Sequence, residues 1–359
     1  MSETALPRLG VYAIAHESEA PVTDDYTTLV MIHGFAWCGG TFQRMIPFAK
    51  ENNSRVVLIN RRDYPELVSV ADLGTEDNHP ESEPLSPDDI AKMYSAEGVA
   101  EFMKERASDV YGLLVELIKS GRVAEKGGIA LCAWSFGTQF ANALLAHASS
   151  LSREEEVDVV SKMRHVGNLD MPSLFLGYPP KDGCWNPLLD MTIDPDERVK
   201  IFMRWITGYF LHGETVDELV PRDFTLDIPP TLDTMSPDDI ASAMYVNPGF
   251  PGASDDVLFR AVMDFGICDK LRRQAYLNLD ENDPWAHVKV RHVFGDRSAW
   301  SEFWGAECLR KEIEDERKAG RRPRQVEIVR LRGANHFGGW DQPKRTLRAL
   351  LGKNPDMDD

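Results

Sequence analysis

Apolar residues recur along this chain in two alternating spacings. The run "TTLVMIHGF" (27–35) is short, β-branched and closed by glycine, which predicts a buried strand, and "GGTFQRMIPFAKENN" after it spaces its apolar residues as a helix does. "SRVVLINRRDY" (54–64) predicts a second strand, and an irregular Pro- and acid-rich loop follows from about 64 to 87. Next come a helical stretch over about 88–120 and a third strand in "GGIALCAWS". Strands separated by helices predict an α/β architecture, a mainly parallel sheet flanked by helices on both faces.

From about 180 to 285 the alternation fades. Two amphipathic stretches, 196–212 and 254–277, are predicted as helices, and a Pro-rich segment lies between them. "SLFLGY" (173–178), just before this region, reads as the sixth strand. The alternation resumes in "HVKVRHVFGD" (287–296), a charged helix over 300–319 and the strand-like "RQVEIVRLRGANHF" (324–337). Three blocks result: a first core part over 1–179, a helical insertion over 180–285 and a second core part over 286–359. "SPDDIAKMY" and "SPDDIASAMY" each begin with a Ser N-cap, a first-turn Pro and two acids, so they read as two independent helix starts. The tail "GKNPDMDD" offers little to bury and is predicted to fray.

Composition narrows the function. The 359 residues carry a formal charge of −18, which repels phosphate backbones and anionic lipid surfaces, so neither nucleic acid nor a membrane is expected as partner. Five widely spaced cysteines include no C-x-x-C pair, which suggests neither a disulfide framework nor a zinc site and fits a reducing compartment. "MSETALPRLG" has no basic and apolar regions of a secretory signal, and no apolar window is long enough for a membrane span; a cytoplasmic location is expected. The histidines form no metal-binding spacing, and no phosphate-binding glycine motif occurs, so no metal and no cofactor are expected.

The chemistry concentrates in "CAWSFGTQ" (132–139), where a strand stops and the helix "TQFANALLAHA" begins. A chain reversing within one or two residues strains its middle residue and brings the neighbours two positions away into contact, so only small side chains fit there. Ala133 and Gly137 meet that need and lift Ser135 to an exposed point beside the helix N-terminus. The segment resembles the G-x-S-x-G nucleophile elbow of the α/β-hydrolase family, with Ala in place of the first Gly.

The resemblance extends to "MIHGFAWCGG", similar to the family's H-G-x segment, to "HVFGD" at the end of the strand preceding the acid, and to "GANHF", which places His336 after the last strand. It covers about 27–180 and 287–350, and it implies an α/β-hydrolase fold with 180–285 as a helical cap. It also implies Ser135, His336 and an acid as catalytic residues, with the amides of Phe136 and of Phe35 or Ala36 as oxyanion hole. The acid departs from the family's G-x-x-D pattern, because Ser298 stands in the usual place. Asp296 is taken as the acid, with Asp182, Asp170 and Asp341 as alternatives. His33 is expected to shape the oxyanion loop.

Hydrolysis of an ester, lactone or thioester of a bulky, largely apolar or aromatic small molecule is the expected activity. Trp37, Trp134, Trp185 and Trp205 are the expected substrate-binding aromatics. Non-hydrolytic chemistry on the same scaffold (acyl transfer, carbon-carbon or cyanohydrin cleavage) and ligand binding with weak turnover remain the alternatives.

Overall fold

The computed structural model describes residues 7–65, 85–151 and 157–357. Most of the loop expected over 64–87 lies outside these residues. The sheet has eight strands in the order β1-β2-β4-β3-β5-β6-β7-β8. Its parallel body comprises β3 (Thr27–Ile32), β4 (Ser54–Asn60), β5 (Ile129–Trp134), β6 (Met163–Leu169), β7 (Lys289–Gly295) and β8 (Val326–Leu331). The short β1 (Arg8–Leu9) and β2 (Tyr12–Glu17) add an antiparallel edge that the hydrophobic pattern did not suggest.

β3 and β5 are buried almost throughout, as continuous apolar runs in a sheet covered on both faces should be. The predicted helical stretch over 88–120 is two helices, Pro87–Met93 and Ala96–Lys119. The segment after β3 is a 3-10 helix, Gly39–Phe48, and the stretch over 254–277 breaks where Gly266 takes a φ of 65°.

One strand differs from expectation. "SLFL" is a 3-10 turn, Ser173–Leu176, and the sixth strand is the preceding β6, "MRHVGNL". Polar residues hide β6 from a hydrophobicity reading, yet His165 and Asn168 are buried there, and Asn168 donates to Tyr276 Oη at 2.7 Å. The tail is also tied down as far as it is described: Arg345 Nε donates to Asp356 at 2.9 Å, and Arg348 Nε to the Asn354 carbonyl at 2.9 Å.

Between β6 and β7 lie the helices Pro195–Trp205, Pro237–Ala243, Ser254–Asp264 and Ile267–Arg272. This helical segment is sealed to the loop after β3 by backbone bonds from Cys38 to Ala243 (2.8 Å) and from Tyr245 to Ala36 (2.9 Å). The approach is so close that a Cβ on Gly40 would lie 1.9 Å from the Ser242 carbonyl oxygen. A second tie is ionic: Arg61, after β4, grips Asp255 with Nη1 at 3.0 Å and Nη2 at 2.6 Å, and the two side chains are only 4% and 5% exposed. A buried pair of this kind costs most when one partner is removed. Arg61→Met is therefore expected to lower unfolding free energy by about 3–5 kcal/mol, and Arg61→Met with Asp255→Leu to regain most of it, as read from urea denaturation midpoints.

Candidate active site

The C-terminal ends of the parallel strands converge on one place. At the end of β5, Ser135 has a φ of 52°, left-handed for a residue with a side chain, and the helix Thr138–His147 follows after one 3-10 turn. The reversal works because its surroundings are small. A Cβ on Gly137 would lie 2.3 Å from the His33 carbonyl oxygen, and one on Gly34 would lie 3.1 Å from Ser135 Cβ. Ser135 itself is 8% exposed.

The loop after β3 supplies the facing wall. His33 is buried and neutral: burial and nearby Arg61 push its pKa well below the usual range. Its Nε2 accepts from the Arg61 amide at 2.9 Å, and Nδ1 donates to the Gly34 carbonyl at 3.0 Å. Ala36 takes a φ of 61°, and its amide donates to Tyr64 Oη at 2.9 Å. Of the two expected oxyanion donors on this loop, the Ala36 amide is thus already engaged, whereas the Phe35 amide has no hydrogen bond to a described residue. Phe136 provides its amide at the start of the helix, where backbone donors lack intrahelical acceptors. Burial and the Asp255 charge hold Tyr64 in its protonated form, and its hydroxyl donates to Asp255 Oδ2 at 2.6 Å.

His336 follows β8 and lies against Trp134, ring centroids 4.9 Å apart, with the Trp134 indole donating to its carbonyl oxygen at 3.0 Å. Among the described residues, neither His336 Nε2 nor Ser135 Oγ is hydrogen-bonded.

Asp296, the expected acid, is engaged elsewhere than at His336. That carboxylate accepts from Arg330 Nε at 3.1 Å and from the Gly333 amide at 2.6 Å, which commits it to the β8 end. Instead Asp170, one residue past β6, places Oδ2 at 3.6 Å from His336 Nδ1. Asp170 is fixed by the Gly295 amide on Oδ1 (2.7 Å) and by the Ser298 hydroxyl on Oδ2 (2.8 Å). The serine in the usual acid position therefore holds the Asp170 carboxyl. Asp182 is exposed in a turn, and Asp341 accepts from Tyr209 Oη (2.6 Å) and Thr231 Oγ1 (2.5 Å), anchoring the helical segment.

A further carboxyl stands beside His336 that sequence reasoning missed. Glu302, in the first turn of the helix Trp300–Lys318, is fully buried with Oε1 at 3.5 Å from His336 Nδ1. Burial above all, and then the Asp170 charge, raise its pKa well above the usual carboxylate range.

The expected substrate-binding tryptophans are packing residues. Trp37 lies against Phe337 at 4.7 Å and is 1% exposed, and Trp134 supports His336. Trp185 and Trp205 pack on each other at 5.9 Å, with their indole N–H groups bound to Asp190 and the Arg222 carbonyl. Phenylalanines crowd the elbow instead: Phe35, Phe136, Phe175, Phe202 and Phe259 form a cluster with centroid separations of 5.1–6.3 Å. Beside it opens a cleft of about 440 Å³, lined by Phe35, Phe259, Leu188 and Val199 together with the charged Arg198, Asp256, Arg260 and Asp264; neither Ser135 nor His336 is among its lining residues. Among the described residues, no His, Cys, Asp and Glu side chains cluster as metal ligands, and no helix is long and apolar enough to cross a membrane.

No family model matches the chain, and no curated protein matches its sequence. Structural comparison finds two laboratory-evolved variants of potato epoxide hydrolase. Each covers 98% of this chain and 98% of its own at 14% identity and a TM-score of 0.52. Together with the eight-stranded, mostly parallel sheet, this likeness gives the chain the α/β-hydrolase fold. At 14% identity it speaks for the fold alone.

Two substitutions test the geometry. Gly137→Ala drives a Cβ into the His33 carbonyl and is expected to destabilise by at least about 1–3 kcal/mol in thermal or urea unfolding. Asp296→Asn keeps an acceptor for Gly333 but loses the Arg330 ion pair. It is expected to cost about 1.5–3 kcal/mol of stability while leaving the reaction of Ser135 with a fluorophosphonate unchanged.

Proposed function

We propose that this chain is a hydrolase with a serine nucleophile, cleaving an ester, lactone or thioester of a bulky, largely apolar or aromatic small molecule through an acyl-enzyme. The observation that carries the reading is Ser135 itself, held at positive φ on the strand-to-helix turn with His336 packed against its neighbour Trp134. In this reading Ser135 Oγ attacks the acyl carbon and His336 Nε2 takes its proton. Asp170 holds the imidazole by Nδ1 and stabilises its protonated form, and the Phe35 and Phe136 amides receive the oxyanion. His336 then protonates the leaving oxygen or sulfur and activates the water that releases the acid.

The structural neighbours are named epoxide hydrolases, but serine does not suit that reaction. A carboxylate opening an epoxide forms an ester that water can cleave, whereas a serine oxygen would form an ether that resists hydrolysis. An acyl group on serine is an ester, and turnover follows. The phenylalanines packed around the elbow, Phe35, Phe136, Phe175 and Phe259, support an apolar substrate.

The test is a panel of p-nitrophenyl esters, aromatic lactones and an aryl epoxide, offered to the wild type, Ser135→Ala and His336→Ala. Esters with bulky apolar acyl groups are expected to be hydrolysed, with loss of roughly 10³–10⁶ in kcat in either variant and no epoxide turnover. Epoxide opening that survives Ser135→Ala, or turnover restricted to short polar acyl esters, would contradict the proposal.

A further inference from the structure

We infer that His336 has two interchangeable acid partners, and that Glu302 is a positioning residue able to hold its Nδ1–H when Asp170 cannot. The inference rests on the Ser-His reading for its kinetic consequence and on geometry for the rest. Two carboxyl oxygens from different elements face one ring nitrogen at nearly equal distance, Asp170 Oδ2 at 3.6 Å and Glu302 Oε1 at 3.5 Å. Both side chains are essentially fully buried. His336 Nδ1 and Glu302 Oε1 are each without a hydrogen-bond partner among the described residues, so a small turn of the imidazole satisfies both.

Packing alone does not account for Glu302. A buried carboxyl is costly unless something holds it, and among the described residues the only side-chain bond to this one comes from Ser301 Oγ to Oε2 at 2.9 Å. Its neighbours in the first helical turn, Trp300 and Phe303, are apolar. Among the described residues the titratable groups beside it are His336, from the β8 loop, and Asp170, from the β6 end.

Burial disfavours a second charge beside the first. Burial above all, and then the Asp170 charge, push the Glu302 pKa well up, which favours its protonated form, while two donors hold the Asp170 carboxyl in place. Removing the Asp170 charge removes the smaller part of that push and leaves Glu302 as the carboxyl facing the imidazole Nδ1–H. One carboxyl remains beside Nδ1 in either single variant.

Asp170→Asn, Glu302→Gln and the double variant separate this from a single-acid triad. The Asp170→Asn amide still offers an oxygen to the Gly295 N–H, and Glu302→Gln keeps the shape of the glutamate, so both variants are designed to fold, and thermal melting checks that they do. The first readout needs no catalysis: the downfield proton NMR signal of the imidazole Nδ1–H is expected in the wild type and both single variants and absent from the double variant. The second is the rate of Ser135 labelling by a fluorophosphonate. Either single change is expected to cost no more than about tenfold and the double change roughly 10³–10⁴-fold, the loss typical of a triad without its acid. Asp170→Asn combined with Glu302→Asp, a shorter carboxylate, is expected to recover part of that loss.

The inference is overturned if Asp170→Asn alone removes the signal, or alone slows labelling as far as the double variant does. A Ser135 that never labels, in a protein whose NMR signals follow the expected pattern, would remove the hydrolase reading and leave the two-acid arrangement standing.

Discussion

The site depends on one steric constraint, the reversal of the chain at Ser135. A side chain at a φ of 52° is held against a strain of about 1–3 kcal/mol, and it persists only where the surroundings leave no alternative. Here they are backbone: the His33 carbonyl fills the space a larger residue at 137 would need, and Gly34 leaves room for Ser135 Cβ. The β3 loop and the β5 elbow therefore set each other's positions. Because the Phe35 amide belongs to one and the Phe136 amide to the other, the same contact fixes the spacing of the two proposed oxyanion donors.

That loop is held in turn from the helical segment. The Ala36 amide ends on the Tyr64 hydroxyl, the hydroxyl ends on Asp255, and Asp255 is held by Arg61, whose own amide binds His33. Every member is buried, so none of these bonds competes with water, and a charge removed anywhere in the chain leaves a partner unsatisfied. The positive φ of Ala36 is a local expression of this tie. Docking of the helical segment and the shape of the loop after β3 are consequently one structural event.

What could be read from the sequence follows from where the physics is local. The elbow was legible because its requirements fall within five residues, small at 133 and 137 around Ser135, and His336 was legible because it ends the last strand-like run. Strands β3, β4, β5, β7 and β8 announced themselves by apolar pattern. β6 did not, since its buried His165 and Asn168 bond to partners distant in sequence, and with β6 misplaced by several residues Asp170 lost its position at a strand end. Glu302 was hidden for a related reason. It lies in a helix rich in both charges, which normally signals a solvated face, while the helix's first turn is buried. The tryptophans misled through size: large aromatic residues suggested a substrate wall, yet the structure uses them to support His336 and to pack the helical segment.

The departure from G-x-x-D then has a physical account. On the proposed reading the imidazole requires a carboxylate at a particular point in space, and the end of β6 supplies it. Asp170 reaches that point from β6 because it adopts a φ of 45°, and aspartate tolerates the left-handed region better than most residues. The β7 loop contributes support instead, through the Gly295 amide and the Ser298 hydroxyl. A serine there donates to Asp170 Oδ2, whereas an aspartate at 298 would set a third carboxyl against the two already beside His336. The residue that departs from the pattern is thus the one whose hydroxyl holds the Asp170 carboxyl in place.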